Sequence, residues 1–181
     1  MDKANFLMSF NDVLNEFERK EISNLAAGSV IYYAGDIPER EFLPNKMEPP
    51  MRELDDEEGY YKLIINDHIL HKYQILKILG KGSFAQVVSC LDHQTGKKVA
   101  IKINRNTEID HKFAEQEAKL LKFLMEEDPL DQHNIVRMQG HIHFRNHQCF
   151  VFELLHTDLF EHLKDNNFEG FTENKIQSYC Y

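Results

Sequence analysis

Two glycines and a lysine are the residues of this sequence whose types and spacing could bind phosphate. Gly80 and Gly82 lie in the segment 80–87 (GKGSFAQV), between two runs with the composition of β-strands. Glycines at such a turn allow backbone N–H groups to approach phosphate oxygens closely. Lys102 ends the next strand-like run, 99–102 (VAIK), and adds a cation. A glycine pair can also be only a hairpin turn, and a strand-end lysine only a solvated charge.

A carboxylate that could pair with Lys102 follows on the next predicted helix. At about 100° per residue, Glu117 lies in the middle of an apolar arc, whereas Glu115 lies on the far side of the helix. The arc consists of Phe113, Leu120, Leu121 and Leu124. A carboxylate turned toward a core requires a partner, and Lys102 could supply it. The alternative is a glutamate at the edge of the helix that extends into solvent.

The elements that must position these residues follow from hydrophobic periodicity. Strands are predicted over 73–79, 86–92 and 98–103, then a helix over 107–127 that begins with Thr107 and Asp110 spaced as a capping box. Two more strands, 134–144 and 148–153, surround a turn at 145–147. Short helices are predicted at 158–164 and after residue 172. The order is therefore three strands, one helix, two strands and short helices.

The N-terminal third has a different character. Apolar residues at spacings of three and four from residue 6 to residue 17 predict one amphipathic helix that ends before Gly28, and 30–33 has strand composition. The stretch 36–58 is proline-rich and acidic, which predicts a linker. A second domain is therefore expected beyond the linker.

An almost unbroken apolar run at 149–155 ends beside polar residues. Glu153 closes the run, and His156, Thr157 and Asp158 follow. A core strand that leads into a cleft has this pattern, but a plain buried strand fits it equally well.

Composition excludes several classes of function. The net charge is −9 with one Lys-Lys pair, which disfavours nucleic-acid binding and favours a small anion or a protein as partner. No run approaches the length of a membrane helix. Three cysteines without CxxC spacing indicate reduced thiols, as in a cytoplasmic or nuclear protein. His141 and His143 point the same way from a strand, but without a third ligand at a suitable spacing a metal site is disfavoured.

From Leu54 to Tyr181 the sequence resembles the dual-specificity tyrosine-regulated kinases, the DYRK family of the CMGC group. The phrases that carry the resemblance are 80–84 (GKGSF), 144–147 (FRNH), 151–154 (VFEL) and 167–170 (NFEG). The acidic 55–60 (DDEEGY) is similar to the box upstream of the DYRK catalytic domain. Residues 16–35 resemble, more loosely, the accessory region of class II members.

The resemblance implies an α+β fold, the kinase small lobe, with a five-stranded antiparallel sheet and one long helix, αC. The resemblance thus divides the chain into a helical accessory segment at 1–35, a linker at 36–59, the DYRK-type box at 60–72, the small lobe at 73–155 and the first helices of the large lobe at 156–181. It also implies a site for ATP, with Ala100 above the adenine and Lys102, paired with Glu117, at the phosphates. The implied loop residues are Leu79, Gly80, Lys81, Gly82, Ser83, Phe84, Ala85, Gln86 and Val87. The implied residues around adenine and ribose are Phe152, Glu153, Leu155 and Asp158.

One departure lies in the glycine loop, where Ala85 replaces the third glycine, and a small stiffening of the loop is expected. The resemblance further implies a kinase that phosphorylates Ser and Thr on proteins and autophosphorylates on tyrosine. The 181 residues contain no His-Arg-Asp and no Asp-Phe-Gly sequence, which carry the catalytic base and a Mg²⁺ ligand in kinases. The chain by itself is therefore expected to be inactive and to bind ATP weakly.

Three hypotheses remain open from the sequence. The chain is part of a DYRK-like enzyme, a non-catalytic lobe that acts as a protein-interaction module, or a small nucleotide-binding regulator. Neither the protein substrates nor the oligomeric state follow from these residues.

Overall fold

The computed structural model describes residues 1–10, 14, 16–25, 29–32 and 54–180. The four prolines of the predicted linker, Tyr33 and Tyr181 lie outside the described residues. Within the described ranges, no helix combines the length and the apolar character needed to cross a bilayer.

A six-stranded antiparallel sheet forms the centre of the protein, in the order β1-β2-β3-β4-β6-β5. The strands are β1 (His68–Ile69), β2 (Tyr73–Lys81), β3 (Ala85–Asp92), β4 (Lys97–Asn104), β5 (Met138–Phe144) and β6 (His147–Glu153). The predicted α+β arrangement of five strands and one long helix is confirmed. The sixth strand, β1, pairs only two residues with β2, and a run this short has no periodicity to detect.

Five helices are described: α1 (Lys3–Phe10), α2 (Glu16–Asn24), α3 (Glu108–Glu127), α4 (Leu159–Asp165) and α5 (Glu173–Cys180). The long helix, α3, begins at the predicted cap, where the Thr107 side chain accepts a hydrogen bond from the backbone of Asp110. Asp158 caps α4 in the same way.

The prediction of a single helix from residue 6 to a point before Gly28 was wrong for the described residues, since α1 ends at Phe10 and α2 is a separate helix, Glu16–Asn24. Asn11 and Asp12 lie between them, and both residue types are poor in helix interiors. The predicted strand at 30–33 was also wrong for the described residues, because Val30 forms only an isolated bridge with Asp2. Ile31 instead packs into a small apolar cluster with Phe6.

The pleat of β4 separates the main core from the candidate site. Ile101 and Ile103 are buried in the core on one face of the sheet. Ala100 and Lys102 occupy the alternate positions and pair with Phe152 and Phe150 of β6. Because successive side chains in a strand point to opposite faces, this register places Ala100 and Lys102 on the face of Phe150, which packs against α3.

The acidic end of the predicted linker belongs to the folded body. Leu54 is buried in the main core, and an isolated bridge joins Asp55 to Tyr61. The backbone N–H of Lys62 donates to the carbonyl of Leu54 at 2.9 Å, which closes a hairpin over residues 54–62. One apolar anchor and the backbone hydrogen bonds fix this acidic stretch, which composition alone assigned to a linker.

Candidate functional site

Lys102 and Glu117 form an ion pair in which the ammonium group contacts both carboxylate oxygens. The Lys102 Nζ lies 2.6 Å from Glu117 Oε1 and 2.7 Å from Oε2. The side chains are 27% and 33% exposed, so a ligand can reach both. Lys102 lies opposite Val87 of β3 and Phe150 of β6, which holds its stem over the centre of the sheet. The pair predicted from the sequence is therefore present.

The helix reaches this pair with a different rotation from the predicted one. Ala114 and Ala118 of α3 are buried against Phe150, whereas Phe113 and Leu120 are 54% and 57% exposed. Small side chains let the helix lie close to the sheet, so the alanines define the packed face. Glu117 therefore stands at the flank of that face, beside Lys102, and not in the middle of an apolar arc. Glu115 is exposed, as predicted.

A cleft of about 940 Å³ runs along the end of β6 and the segment that follows it. Six predicted residues line it: Leu79, Ala100, Phe152, Glu153, Leu155 and Asp158. Ala100 and Lys102 share one face of β4 and are two residues apart, about 7 Å along a strand. A ligand of nucleotide length could therefore occupy the cleft and reach the ammonium group.

The glycine loop is open where a ligand would approach. A Cβ atom at Gly80 would meet no atom within 4 Å, and at Gly82 only the carbonyl oxygen of Ala85 at 3.9 Å. Neither glycine has the positive φ that favours glycine. Packing and backbone geometry within the described residues therefore do not require glycine at either position. Close approach of a ligand would require it, which fits a phosphate group.

Other predicted loop residues direct their side chains away from the cleft. The Lys81 Nζ lies 3.3 Å from Asp56 Oδ2, and Gln86 Nε2 donates to the carbonyl of Tyr61 at 2.9 Å. Phe84 is exposed, with its ring centroid 6.3 Å from that of Phe113. Ser83 is also exposed. These residues could offer backbone groups to a ligand, but the Lys81 and Gln86 side chains contact the hairpin of residues 54–62.

The contact between Lys81 and Asp56 shifts both groups toward their charged forms. Burial alone would raise the pKa of Asp56, but hydrogen bonds from the Tyr60 N–H, the Lys81 ammonium and the Glu58 N–H hold it below its ordinary value. Desolvation would lower the pKa of Lys81, but Asp56 and Glu58 raise it. The glycine loop is thus ion-paired to the hairpin at neutral pH.

Several cleft residues were missing from the predicted site. Lys77 and Val136 line the cleft from β2 and from the residues before β5, and His162 and Tyr179 do so from α4 and α5. They come from four separate parts of the chain, so no local motif connects them. Asp158 lines the cleft as predicted, while its Oδ1 also accepts a hydrogen bond from the Glu161 N–H at 2.7 Å.

The histidines give no metal centre at the cleft. His141 Nε2 lies 3.0 Å from Gln148 Oε1, a hydrogen bond within the sheet. A group of three possible ligands, Glu21, His68 and His71, has its ligand atoms within 4.8 Å of one another. None of these three lines the cleft, and Arg145 already binds both carboxylate oxygens of Glu21.

Comparison with known proteins agrees with this geometry. Residues 73–181 match the family described as the protein kinase domain. The chain is 37% identical over 177 residues to human dual specificity tyrosine-phosphorylation-regulated kinase 4, covering 97% of this chain and 33% of that protein. It is 42% identical over 127 residues to dual specificity tyrosine-phosphorylation-regulated kinase mbk-2 of Caenorhabditis elegans, covering 70% of this chain and 16% of that protein. The DYRK-family kinase pom1 of Schizosaccharomyces pombe is 40% identical over 159 residues, covering 87% of this chain and 14% of that protein. The chain thus spans a third or less of the length of these relatives.

Proposed function

The chain belongs to the protein kinase domain family, with DYRK kinases among its relatives, and we propose that it is the ATP-binding small lobe of such a kinase. The whole enzyme would phosphorylate Ser and Thr on proteins and autophosphorylate on tyrosine. The observation that carries the proposal is the Lys102–Glu117 pair on the sheet face that also leads to the cleft.

The residues present fit a nucleotide in three places. Leu79, Ala100 and Phe152 offer apolar surface to a base, and the backbone groups of Glu153 and Leu155 could bond to its edge. The glycine loop leaves room for phosphates at Gly80. Lys102 would neutralise phosphate charge, and Glu117 would hold its ammonium group in place. When bound, ATP would supply the phosphoryl group that a kinase transfers.

The cleft residues fit Mg²⁺ less well than they fit a nucleotide, because the Mg²⁺-binding motifs of kinases do not occur in this sequence. In kinases an Asp and an Asn hold the Mg²⁺ ions, and a catalytic-loop Asp acts as base; their motifs do not occur in these 181 residues. The 181-residue chain is therefore expected to transfer no phosphoryl group by itself. The 181-residue polypeptide would bind ATP only in the millimolar range, because hinge hydrogen bonds at about 1 kcal/mol each must offset an association cost of several kcal/mol.

The proposal extends to partners and location. ATP and protein substrates would be the partners, and nucleic acid and membranes would not. A cytoplasmic or nuclear location is supported by the free, buried thiols of Cys90 and Cys149.

A titration followed by NMR tests the proposal. Adding ATP to the labelled polypeptide should shift the amide signals of Leu79, Ala100 and Leu155, with no saturation below the millimolar range. ATP should bind more tightly than adenosine, because Lys102 attracts the phosphates. Lys102→Met should remove this preference, and Lys98→Met, which removes an exposed lysine of the same strand, should not.

Two results would contradict the proposal. Shifts at no cleft amide would favour the alternative, a protein-interaction module. Phosphorylation of a peptide by the polypeptide alone would refute the proposed inactivity. The stability of Lys102→Met serves as a check, since a partly exposed ion pair contributes about 0–1 kcal/mol to folding and its loss should leave the chain folded.

A further inference from the structure

The tip of the glycine loop is hydrogen-bonded to the hairpin of residues 54–62. The Tyr60 hydroxyl donates to the carbonyl oxygen of Gly82 at 2.7 Å, and the Tyr60 side chain is buried. The Gly82 N–H donates within the loop, to the carbonyl of Ala85 at 2.9 Å. One peptide segment at the loop tip is therefore held both by the loop itself and by a residue outside it.

The neighbouring loop residue contacts the same hairpin. The Lys81 Nζ lies 3.7 Å from the centroid of the Tyr60 ring, a cation–π contact, and 3.6 Å from Glu58 Oε2. Its ion pair with Asp56, described above, adds a third contact. Two consecutive residues, Lys81 and Gly82, thus bind to one short hairpin.

The hairpin is itself fixed to parts of the protein that do not belong to the loop. Asp55 Oδ1 lies 2.8 Å from His147 Nε2, and Asp55 Oδ2 accepts a hydrogen bond from Asn106 Nδ2 at 2.8 Å. The Asn106 N–H donates to the carbonyl of Gly59 at 2.8 Å. Together with the buried Leu54, these bonds anchor the hairpin to the residue before the N-cap of α3 and to the first residue of β6.

We propose that Tyr60 is a positioning residue for nucleotide, because its hydroxyl ties the tip of the glycine loop to this anchored hairpin. The inference rests on the proposed function. A loop with two glycines would otherwise become ordered only when a nucleotide binds. The conformational entropy lost in that step would lower the affinity for the nucleotide. With Tyr60 in place, part of that ordering exists before binding. Nucleotide should therefore bind more tightly and leave more slowly than it would beneath an untethered loop.

Amide hydrogen exchange on the nucleotide-free polypeptide tests the tether itself. Tyr60→Phe keeps the ring beneath Lys81 and removes only the hydroxyl. It should speed exchange of the Gly82 amide about two- to ten-fold, the factor that one hydrogen bond of ordinary net strength represents. The Cys90 amide, in the core part of β3, should exchange at an unchanged rate. Tyr73→Phe, at an equally buried tyrosine at the start of β2, is the matched control and should leave Gly82 unchanged.

ATP titration of the same variants tests the consequence. Tyr60→Phe should weaken ATP binding about two- to ten-fold and leave the urea midpoint close to that of the parent, whereas Tyr73→Phe should leave ATP affinity unchanged. Equal exchange at Gly82 in parent and Tyr60→Phe would overturn the proposal. So would faster exchange throughout the sheet, which would indicate a general loss of stability, or faster exchange at Gly82 with unchanged ATP affinity.

The role of Tyr60 and the proposed function can be refuted separately. If the parent chain binds no ATP while Tyr60→Phe still speeds exchange at Gly82, the tether exists but the proposed function is wrong. If the parent binds ATP at the cleft and Tyr60→Phe changes neither exchange nor affinity, the function stands and the role of Tyr60 is refuted.

Discussion

Solvent exposure determines how reactive single side chains of this protein are. Lys102 and Glu117 keep part of their surface open, which leaves their charges available to a ligand. The cysteines show the opposite case. Burial raises the pKa of the Cys90 thiol to about 12 and also raises that of Cys149. Since the thiolate is the reactive form, both residues are chemically protected while the sheet is folded.

The thiols give a prediction for the folded state. Treating the chain with iodoacetamide at pH 8 should leave Cys90 and Cys149 unmodified, because few thiolates form and both side chains are buried. In 8 M urea, a condition chosen to unfold the chain, both should react as ordinary cysteines do. Peptide mass spectrometry measures each site separately. Rapid modification of Cys90 without denaturant would show that β3 is not packed as described.

At the scale of elements, the site depends on how closely α3 approaches the sheet. Ala114 and Ala118 allow that approach, and Glu117 is carried to Lys102 as a result. A larger side chain at a buried alanine would have to displace the helix or its neighbours.

Ala118→Phe should therefore separate the ion pair and lower the free energy of unfolding by about 1–3 kcal/mol, the usual cost of overpacking. Urea denaturation measures the stability, and the ATP titration measures the site. Lys119→Phe, at the exposed neighbouring position, is the matched control and should change both much less. Normal ATP affinity in Ala118→Phe would mean that the helix position does not control the site.

Elements with local signals could be predicted from the sequence, and their mutual orientation could not. The five longer strands follow from alternation, and the start of α3 follows from Thr107 and Asp110. The rotation of α3 was missed because the periodicity argument counted large apolar residues, whereas the buried ones are alanines. The Lys102–Glu117 pair was nonetheless found, since Glu117 precedes the buried Ala118 by one residue, about 100° around the helix, and so still lies beside the packed face.

Contacts across long sequence separations had no local signal. The docking of Asp55 depends on His147 and Asn106, and neither residue is visible from the acidic composition of 55–58. Tyr60 was missed as a site residue for the same reason, because its hydroxyl matters only once Gly82 lies opposite.

At the scale of the whole molecule, Arg145 joins three parts of the chain. Its guanidinium donates to both carboxylate oxygens of Glu21 at 3.0 and 2.9 Å and to the Tyr61 hydroxyl at 2.7 Å. Its centre lies 4.7 Å from the centroid of Phe144 and 5.2 Å from that of Phe17. Burial alone would lower the pKa of Arg145, but Tyr61, Glu21 and Asp67 hold it above its ordinary value. Arg145 thus helps to attach the accessory segment to the sheet, together with Phe17, which packs in the main core, and Glu18, which lies 3.6 Å from His68 Nε2.

Arg145→Met should lower the free energy of unfolding by about 3–5 kcal/mol, since removing one partner of a buried ion pair leaves the other uncompensated. Limited proteolysis should then cut within α2 first, because its polar link to the sheet through Glu21 is lost. Arg137→Met is the control, as Arg137 is more exposed and pairs with Asp131 at the surface. Continued protection of α2 in Arg145→Met would show that apolar packing alone attaches the segment.

The bond between Arg145 and Glu21 spans 124 positions of the chain, and that span sets an order of events during synthesis. At roughly 5–20 residues per second, the ribosome needs roughly 6–25 s after adding Glu21 before it adds Arg145. Throughout that interval Glu21 lacks the guanidinium of Arg145. Residues of α2 are therefore made before the sheet but reach their final places only after it, and a binding factor that acts on the nascent chain would find α2 accessible during those seconds.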